Sequence, residues 1–454
     1  MKKNDIIKLK ITGMTHDGSG VGRYDGMAAF VQNTAIGDEI EALVMKVKKT
    51  YAFAKVQKII TPSKDRIDPE CKVFLSCGGC RYQHITYESE LKIKEQKVKD
   101  SIERVGKISA PVNPIIPSDD IFRYRNKGQY PVSKNKDGKT VFGFFAPHSH
   151  RVIACDDCLL APEDFKDILS KIGNFADENN ISVYDESTNL GLLRHICLRK
   201  PHNSGEIMVM LVINGDKIPN EEKLTDILSE NKSVKSIVIN INKSDTNVIL
   251  GDKNRVIFGD GYITDTLCGL KFRISPNSFY QVNGKQTEKL YNKAREYANL
   301  KKDDVLLDLY CGVGTIGLTM AKDCKELYGV EIVDEAVQNA KENARINNID
   351  NAHFYAGDAT LLANKLKEKK INPNVVIVDP PRKGLSPELI ETITADFKPD
   401  RVVYVSCDPA TLARDSEIFE GKGYLVKQIT PVDMFPRTVH VETVVLMSRV
   451  ENQP

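Results

Sequence analysis

The chain has 454 residues, a formal net charge of +2, 41% hydrophobic and 28% charged residues, and no segment near the about 18 apolar residues needed to cross a bilayer. These figures argue against a disordered chain and against a helical membrane span, and the near-neutral balance gives no whole-chain argument for nucleic acid. The start, Met1-Lys2-Lys3-Asn4-Asp5-Ile6-Ile7, lacks a long apolar secretory core, so a cytoplasmic location is expected and the ten cysteines are not read as a disulfide framework.

In chain order, residues 1–60 alternate as short strands over 6–11, 28–31, 38–47 and 51–59. Gly-rich turns lie between them (Asp17-Gly18-Ser19-Gly20, Asp25-Gly26), which predicts a small barrel closed by Thr61-Pro62-Ser63. This stretch holds ten Lys/Arg and six Asp/Glu, a local net of +4. Residues 71–84 are a cysteine-rich loop, and Glu88 to Val105 has a helical pattern. Residues 120–270 read mostly as strands, with helices over 162–178 and 220–230. From about Thr287 strands alternate with helices, the α/β signal, with strands expected at 305–309, 326–332, 353–355, 375–378, 401–405 and 441–447.

The cysteine loop carries Cys71, Cys77 and Cys80, and Cys155 and Cys158 follow later. Cys77-Gly78-Gly79-Cys80 leaves room for an inorganic group. Four thiolates suit tetrahedral zinc or a [4Fe–4S] cluster, and the spacing leaves both open.

Val305-Leu306-Leu307-Asp308-Leu309-Tyr310-Cys311-Gly312-Val313-Gly314-Thr315-Ile316-Gly317 reads as a buried strand, a tight turn and a helix start. Glu331 follows at the end of the next strand, where an acidic group binds ribose hydroxyls. Glycines alone would suit NAD. Two features favour S-adenosylmethionine. Asp308, at the strand end, is expected to meet the amino acid portion of the cofactor. Asp379-Pro380-Pro381-Arg382 ends the fourth strand, stiffens its loop and aims Asp379 at the reactive sulfonium. Asp358 sits where an acidic residue contacts adenine.

Cys407 ends the strand Val403-Tyr404-Val405-Ser406 and precedes the turn Asp408-Pro409, at the mouth of an open sheet where ligands bind. A thiolate beside a methyl donor fits C5 methylation of a pyrimidine. Sulfur adds at C6, C5 becomes nucleophilic and takes the methyl, and a base removes the C5 proton so that the thiol leaves. Glu442, in Val439-His440-Val441-Glu442, fits the base. His440 is the alternative, or orients Glu442 from the same face. A base within folded RNA must be everted. Phe122-Arg123-Tyr124-Arg125-Asn126-Lys127 and Phe279-Tyr280-Gln281-Val282-Asn283 mix aromatic and polar groups suited to stacking it.

With these residues in view, the chain resembles the RNA uracil-5-methyltransferases over nearly its whole length, most closely the bacterial 23S rRNA enzymes with an N-terminal TRAM domain. Ser406-Cys407-Asp408-Pro409-Ala410-Thr411-Leu412-Ala413-Arg414-Asp415 matches the family's nucleophile motif throughout. The base segment departs from the family only in having Val439 where proline is common. The resemblance implies Cys407 as nucleophile and Glu442 as general base. It places cofactor contacts on Gln281, Tyr310, Thr315, Glu331, Asp358 and Asp379. It implies a [4Fe–4S] cluster on Cys71, Cys77, Cys80 and Cys158, with Cys155 able to exchange roles with Cys158.

The implied architecture is α/β: a TRAM RNA-binding barrel of OB-like form (1–62), an α+β iron–sulfur and RNA-binding domain (63–273), and a Rossmann-like class I S-adenosylmethionine-dependent methyltransferase domain (274–454). The helix at 86–107 is free to pack on the last of these. The expected partner is RNA, 23S rRNA first, with no membrane and no obligate protein partner. The near alternative is tRNA uridine. The distant ones are an iron–sulfur oxidoreductase using NAD, which leaves Cys407 without a role, and a catalytically silent RNA-binding protein.

Overall fold

The computed structural model describes residues 1–450. Strands β1 (Ile6–Met14), β2 (Gly20–Tyr24), β3 (Met27–Gln32), β4 (Glu39–Val47) and β5 (Tyr51–Thr61) form a closed barrel in the order β1-β2-β3-β5-β4. In β1, Ile7, Leu9 and Ile11 face the barrel core while Ile6, Lys8 and Lys10 face outward, the two-residue period of a half-buried strand. Strand β2 was not expected. Its interior positions are glycines: a Cβ on Gly20 would lie 2.0 Å from Thr34 Oγ1, and one on Gly22 would lie 2.8 Å from Leu9 Cδ1. Hydrophobic alternation cannot register a strand whose inward residues have no side chain.

After the cysteine loop comes α1 (Tyr87–Asp100), capped by Thr86, which continues as a π-helical turn over Ser101–Val105. Seven strands then make the central sheet: β6 (Lys127–Lys134), β7 (Thr140–Phe145), β8 (Val152–Ala154), β9 (Leu193–Arg199), β10 (Ile207–Ile213), β11 (Val234–Ile241) and β12 (Lys253–Gly259). Their order is β12-β11-β10-β9-β6-β7-β8. Helices α2 (Asp164–Glu178) and α3 (Glu221–Ser229) cover one face, and a hairpin, β13 (Ile263–Leu267) and β14 (Leu270–Ile274), follows.

Helix α4 (Gly284–Ala298) opens the last unit. It contains β15 (Val305–Leu309), α5 (Thr315–Met320), β16 (Glu326–Glu331), α6 (Asp334–Ile346), β17 (Ala352–Ala356), α7 (Ala359–Glu368), β18 (Val375–Val378), α8 (Pro387–Glu391), β19 (Arg401–Ser406), α9 (Pro409–Glu420), β20 (Tyr424–Val432) and β21 (Glu442–Arg449). The sheet runs β17-β16-β15-β18-β19-β21-β20, with β21 antiparallel to both of its neighbours. The order reverses between β15 and β18, and this is where ligands sit in such sheets. Strand β20 was also unexpected. A register shift between Val426 and Gln428 interrupts its alternation, and Pro431 stands within it.

The expected division at 273/274 marks a change of chain pattern rather than a break in the core. Met208, Met210 and Val238 of the central sheet, the β13–β14 hairpin and the α4 face share one apolar cluster with the last sheet. Val98, Ile102, Ile108 and Ile115 pack into the other face of that sheet, and Val112 and Ile116 bridge in parallel to Ile429 and Val432 on β20. Among the described residues no helix is long and apolar enough to cross a membrane.

Candidate functional site

The loop after β15 is built to let a ligand approach. Tyr310 takes φ 66° and Gly312 φ 56°, and nothing lies within 4 Å of where a Cβ on Gly312 would project. Gly314 takes φ 81° at the start of α5. Gly317 serves packing: a Cβ there would lie 2.7 Å from Asp308 Oδ2. Asp308, expected to meet the cofactor, lies beneath this loop. It is fully buried, its Oδ2 accepts the Gly317 N–H at 2.9 Å, and it ties β15 to α5 while Oδ1 stays without a partner. Burial, with Asp379 and Glu331 nearby, pushes Asp308 up to about 8.

Glu331, at the end of β16, accepts the Gly312 N–H at 3.1 Å and the Val333 N–H at 3.0 Å, fixing the glycine loop against the next one. Asp358 is exposed and caps α7 through the N–H groups of Thr360 and Leu361. Thr315 shares a 2.8 Å hydrogen bond with Tyr291. Exposed Ile332 and Leu361 flank this rim. Gln281 lies nearly buried in the β14–α4 loop, where its carbonyl accepts from Asn126 Nδ2 at 2.9 Å.

That bond joins the two aromatic segments singled out in the sequence, yet two of their four rings are core residues. Tyr124 donates to the Pro436 carbonyl and Tyr280 to Asp265, and both are buried. Phe279 alone projects, at 70% exposure.

Cys407 leaves β19 directly before α9, whose start is capped by Asp408 and begins with Pro409. Ser406 pairs with Thr443, which brings Glu442 beside Cys407, and Val378 pairs with Tyr404, which brings Asp379 alongside. Burial pushes the Cys407 thiol up to about 11, with Glu442 and Asp379 adding to the shift and Arg382 opposing it. Burial likewise pushes Glu442 up to about 8 and Asp379 to about 7. These environments hold protons near neutrality, the range in which acid–base groups work.

His440 does not share a strand face with Glu442, because β21 begins at Glu442 and His440 lies in the preceding loop. Its Nδ1 accepts from Arg382 Nη2 at 3.2 Å, and burial lowers it to about 4. Arg382 is a site residue to which the sequence reading gave no role of its own.

Helix α9 pins the loop that carries Arg382. Thr411 Oγ1 donates to the Arg382 carbonyl, Arg414 to the Lys383 carbonyl, and buried Asp415 accepts from Leu385 N–H and Tyr404 OH. The loop leading to Glu442 is held from the other side. Fully buried Lys94 donates to Glu90, to Asp433 and to the Phe435 carbonyl at 2.7, 2.7 and 3.0 Å. Arg437 N–H donates to Glu90, its guanidinium to the Ile85 carbonyl, and its own carbonyl accepts from Arg81 and Tyr82. Glu90 and Lys94 stand four residues apart on α1, a spacing that in sequence is indistinguishable from an exposed helical ion pair.

The five remaining singled-out cysteines, Cys71, Cys77, Cys80, Cys155 and Cys158, line one cavity of about 290 Å³ walled by aromatic rings. Burial pushes Cys80 and Cys155 up to about 12, and the thiols raise one another. The Gly79 N–H donates to Cys77 at 3.4 Å and the Ala161 N–H to the Cys158 carbonyl at 2.9 Å, while Gln83 lowers the Cys80 thiol and the Leu160 and Ala161 amides lower the Cys158 thiol against the rise from burial. The leading influences on Cys155 are all unfavourable to a thiolate. Among the described residues, no three Cys, His, Asp or Glu side chains meet closely enough to chelate one ion as they stand.

The chain is similar to known proteins over nearly its whole length. Residues 86–450 match the family described as tRNA (Uracil-5-)-methyltransferase, and residues 2–57 match the TRAM domain. A Clostridium tetani protein named as an uncharacterized RNA methyltransferase is 45% identical over 99% of this chain and 97% of its own. A similarly named protein of Halalkalibacterium halodurans is 44% identical over 98% of each chain. Among solved structures, the Pyrococcus abyssi tRNA (uracil-54, C5)-methyltransferase in complex with S-adenosyl-L-homocysteine superposes with a TM-score of 0.78 at 30% identity, covering 97% of this chain and 100% of that one.

Proposed function

The chain belongs to the tRNA (uracil-5-)-methyltransferase family and carries a TRAM domain, and from that premise we propose that it methylates uridine C5 in 23S rRNA through a transient Cys407–C6 bond. The observation that carries this reading is the meeting of Cys407, Glu442, Asp379 and Arg382 at the switch point beside the open Gly312 loop.

Uracil C5 is a weak nucleophile. The Cys407 thiol gives up its proton to solvent water, which the Arg382 charge favours, and sulfur adds to C6. The displaced electron pair passes toward O4 and makes C5 nucleophilic. S-adenosylmethionine, when bound, supplies an electrophilic methyl group for C5. Glu442, as carboxylate, then takes the C5 proton, the C6–S bond breaks, and its electron pair returns to Cys407. We assign Gln281, Tyr310, Thr315, Glu331, Asp358 and Asp379 to holding the methyl donor. The open space at Gly312 and the carboxylates around it support that fit. Everting the base costs a few kcal/mol, and a stack on projecting Phe279 returns roughly 1–3 kcal/mol.

We assign Cys71, Cys77, Cys80 and Cys158 as ligands of a [4Fe–4S] cluster. Support comes from the shared thiol cavity, from the Gly79 N–H on Cys77, and from the neighbouring polar groups that favour thiolates at Cys80 and Cys158. Cys155 lacks that support and is assigned as a bystander. Held there, the cluster would cross-link the cysteine loop to the central domain and so brace Arg81 and Tyr82 against Arg437.

The second reading is tRNA uridine, favoured by the name of the Pyrococcus abyssi structure. Purified protein supplied with labelled S-adenosylmethionine and transcripts of 23S rRNA and tRNA separates the two. We expect 5-methyluridine in the rRNA. Labelling of tRNA alone would move the substrate to the second reading, and labelling of neither would overturn both.

A further inference from the structure

A groove of about 750 Å³ between the barrel and the cysteine loop is used by none of the assignments above. Phe30, Met45 and Phe53 form its barrel wall, and Arg66, Phe74 and Leu75 form the facing wall. Phe53 is 43%, Met45 47% and Leu75 54% exposed. Apolar surface gathered in this way marks a binding groove. Phe30, Tyr51 and Phe53 form one ring set, with centroids 5.2–5.9 Å apart, and all three pairs are tilted or edge-on rather than face to face.

Asp17 and Asp68 line the groove's loop side, whereas the hairpin that carries the rings bears charge of one sign. Residues 44–58, the β4–β5 hairpin, hold Lys46, Lys48, Lys49, Lys55 and Lys58 and no Asp or Glu. All five lysines are exposed, and the nearby strand ion pairs are made by Lys8 and Lys10 instead. Aromatic faces flanked by unneutralised lysines form the platform that takes single-stranded nucleic acid.

One end of the groove is built from a loop that packs on the segment leading to Glu442. Asp17 and Ser19 line the groove. Gly18 between them packs on Val439, where a Cβ would lie 2.9 Å from Val439 Cγ1. Lys97 Nζ donates to both the His16 and Val439 carbonyls. Val439 stands three residues before Glu442.

We propose that this groove binds a second unpaired base of the substrate RNA, in the same strand as the target uridine, with its phosphates running along the 44–58 lysines. This rests on the RNA-uridine reading above. Such two-point capture would hold the strand open while the target base is everted.

The test uses substrate RNA with 2-aminopurine at successive positions flanking the target. With wild-type protein one position should be quenched on binding, and Phe53→Ala should lose that quench. Phe53→Ala should raise KM for RNA about 5- to 160-fold, the range for one lost stack, with kcat at saturating RNA unchanged. Lys48→Gln/Lys49→Gln, which alters only exposed side chains, should weaken binding and flatten its salt dependence. Wild-type KM and wild-type quenching in both variants would overturn the groove assignment while leaving the methylation reading intact. Wild-type protein that methylates no RNA would remove both.

Discussion

The molecule holds two thiol sites, and pKa alone does not tell them apart. Burial lifts Cys407 to about 11 and Cys80 to about 12. What differs is the company. Cys407 stands at a sheet mouth among two carboxylates and an arginine, beside an open loop. Cys71, Cys77, Cys80 and Cys158 face one another across an aromatic-walled cavity, with the Gly79 N–H behind Cys77 and polar groups that favour the thiolate beside Cys80 and Cys158. A thiol that reacts needs a partner to move its proton and a place for substrate. Thiols that hold an inorganic group need only each other and fixed donors.

Substitution should sharpen that contrast, beginning with the largest effect. Cys407→Ala should lower kcat by about 10⁵-fold or more, the scale of a deleted nucleophile, with RNA affinity unchanged in a filter-binding assay. Measurable turnover in that variant would erase the distinction between the sites. Lys94→Met removes one partner of a fully buried ion network and should cost about 3–5 kcal/mol of stability, read by urea denaturation. Because Lys94 also holds the Phe435 carbonyl and Asp433, the proton-removal step should slow as well, so that residual variant accumulates RNA-bound protein.

Cys158→Ala should lose iron after anaerobic reconstitution and Cys155→Ala should retain it, as measured by iron per chain. The reverse outcome would exchange their roles. An effect on methyl transfer chemistry is not expected from either, since the reaction moves no electrons.

The smallest predicted effect is on pH. Glu442 must be ionised to accept a proton, so kcat should rise as pH passes about 8 and then level off. Stability should move the opposite way. Asp308, Asp379 and Glu442 have folded values of about 8, 7 and 8, above unfolded carboxylates near about 4. Their stabilising proton uptake is complete below about pH 4 and is lost as pH rises through about 8. The thermal midpoint should therefore fall between pH 5 and 8, and Glu442→Gln should fall less steeply. A flat profile would contradict the burial argument.

The last sheet was largely legible in the sequence. Strand β18 is a short unbroken apolar run and β15 is apolar except for Asp308, and their limits coincide with the expected 305–309 and 375–378. Strand β2 was hidden because glycines fill the barrel interior there, and β20 because a bulge and Pro431 break its period. At the site, a motif could signal Cys407 and Glu442, but not the packing that makes Tyr124 and Tyr280 core residues. Nor could linear spacing show that Arg382 bonds His440, or that Lys94 is sealed from water by segments more than 300 residues away.

The central claim is a sulfur–carbon bond between Cys407 and an RNA base, and Glu442→Gln should preserve it. Incubated with substrate RNA and S-adenosylmethionine, then digested with nuclease and protease, this variant should yield a Cys407 peptide carrying one methylated uridine nucleotide in its mass spectrum. A Cys407 peptide of unmodified mass, from protein that has bound RNA and methyl donor, would contradict the account.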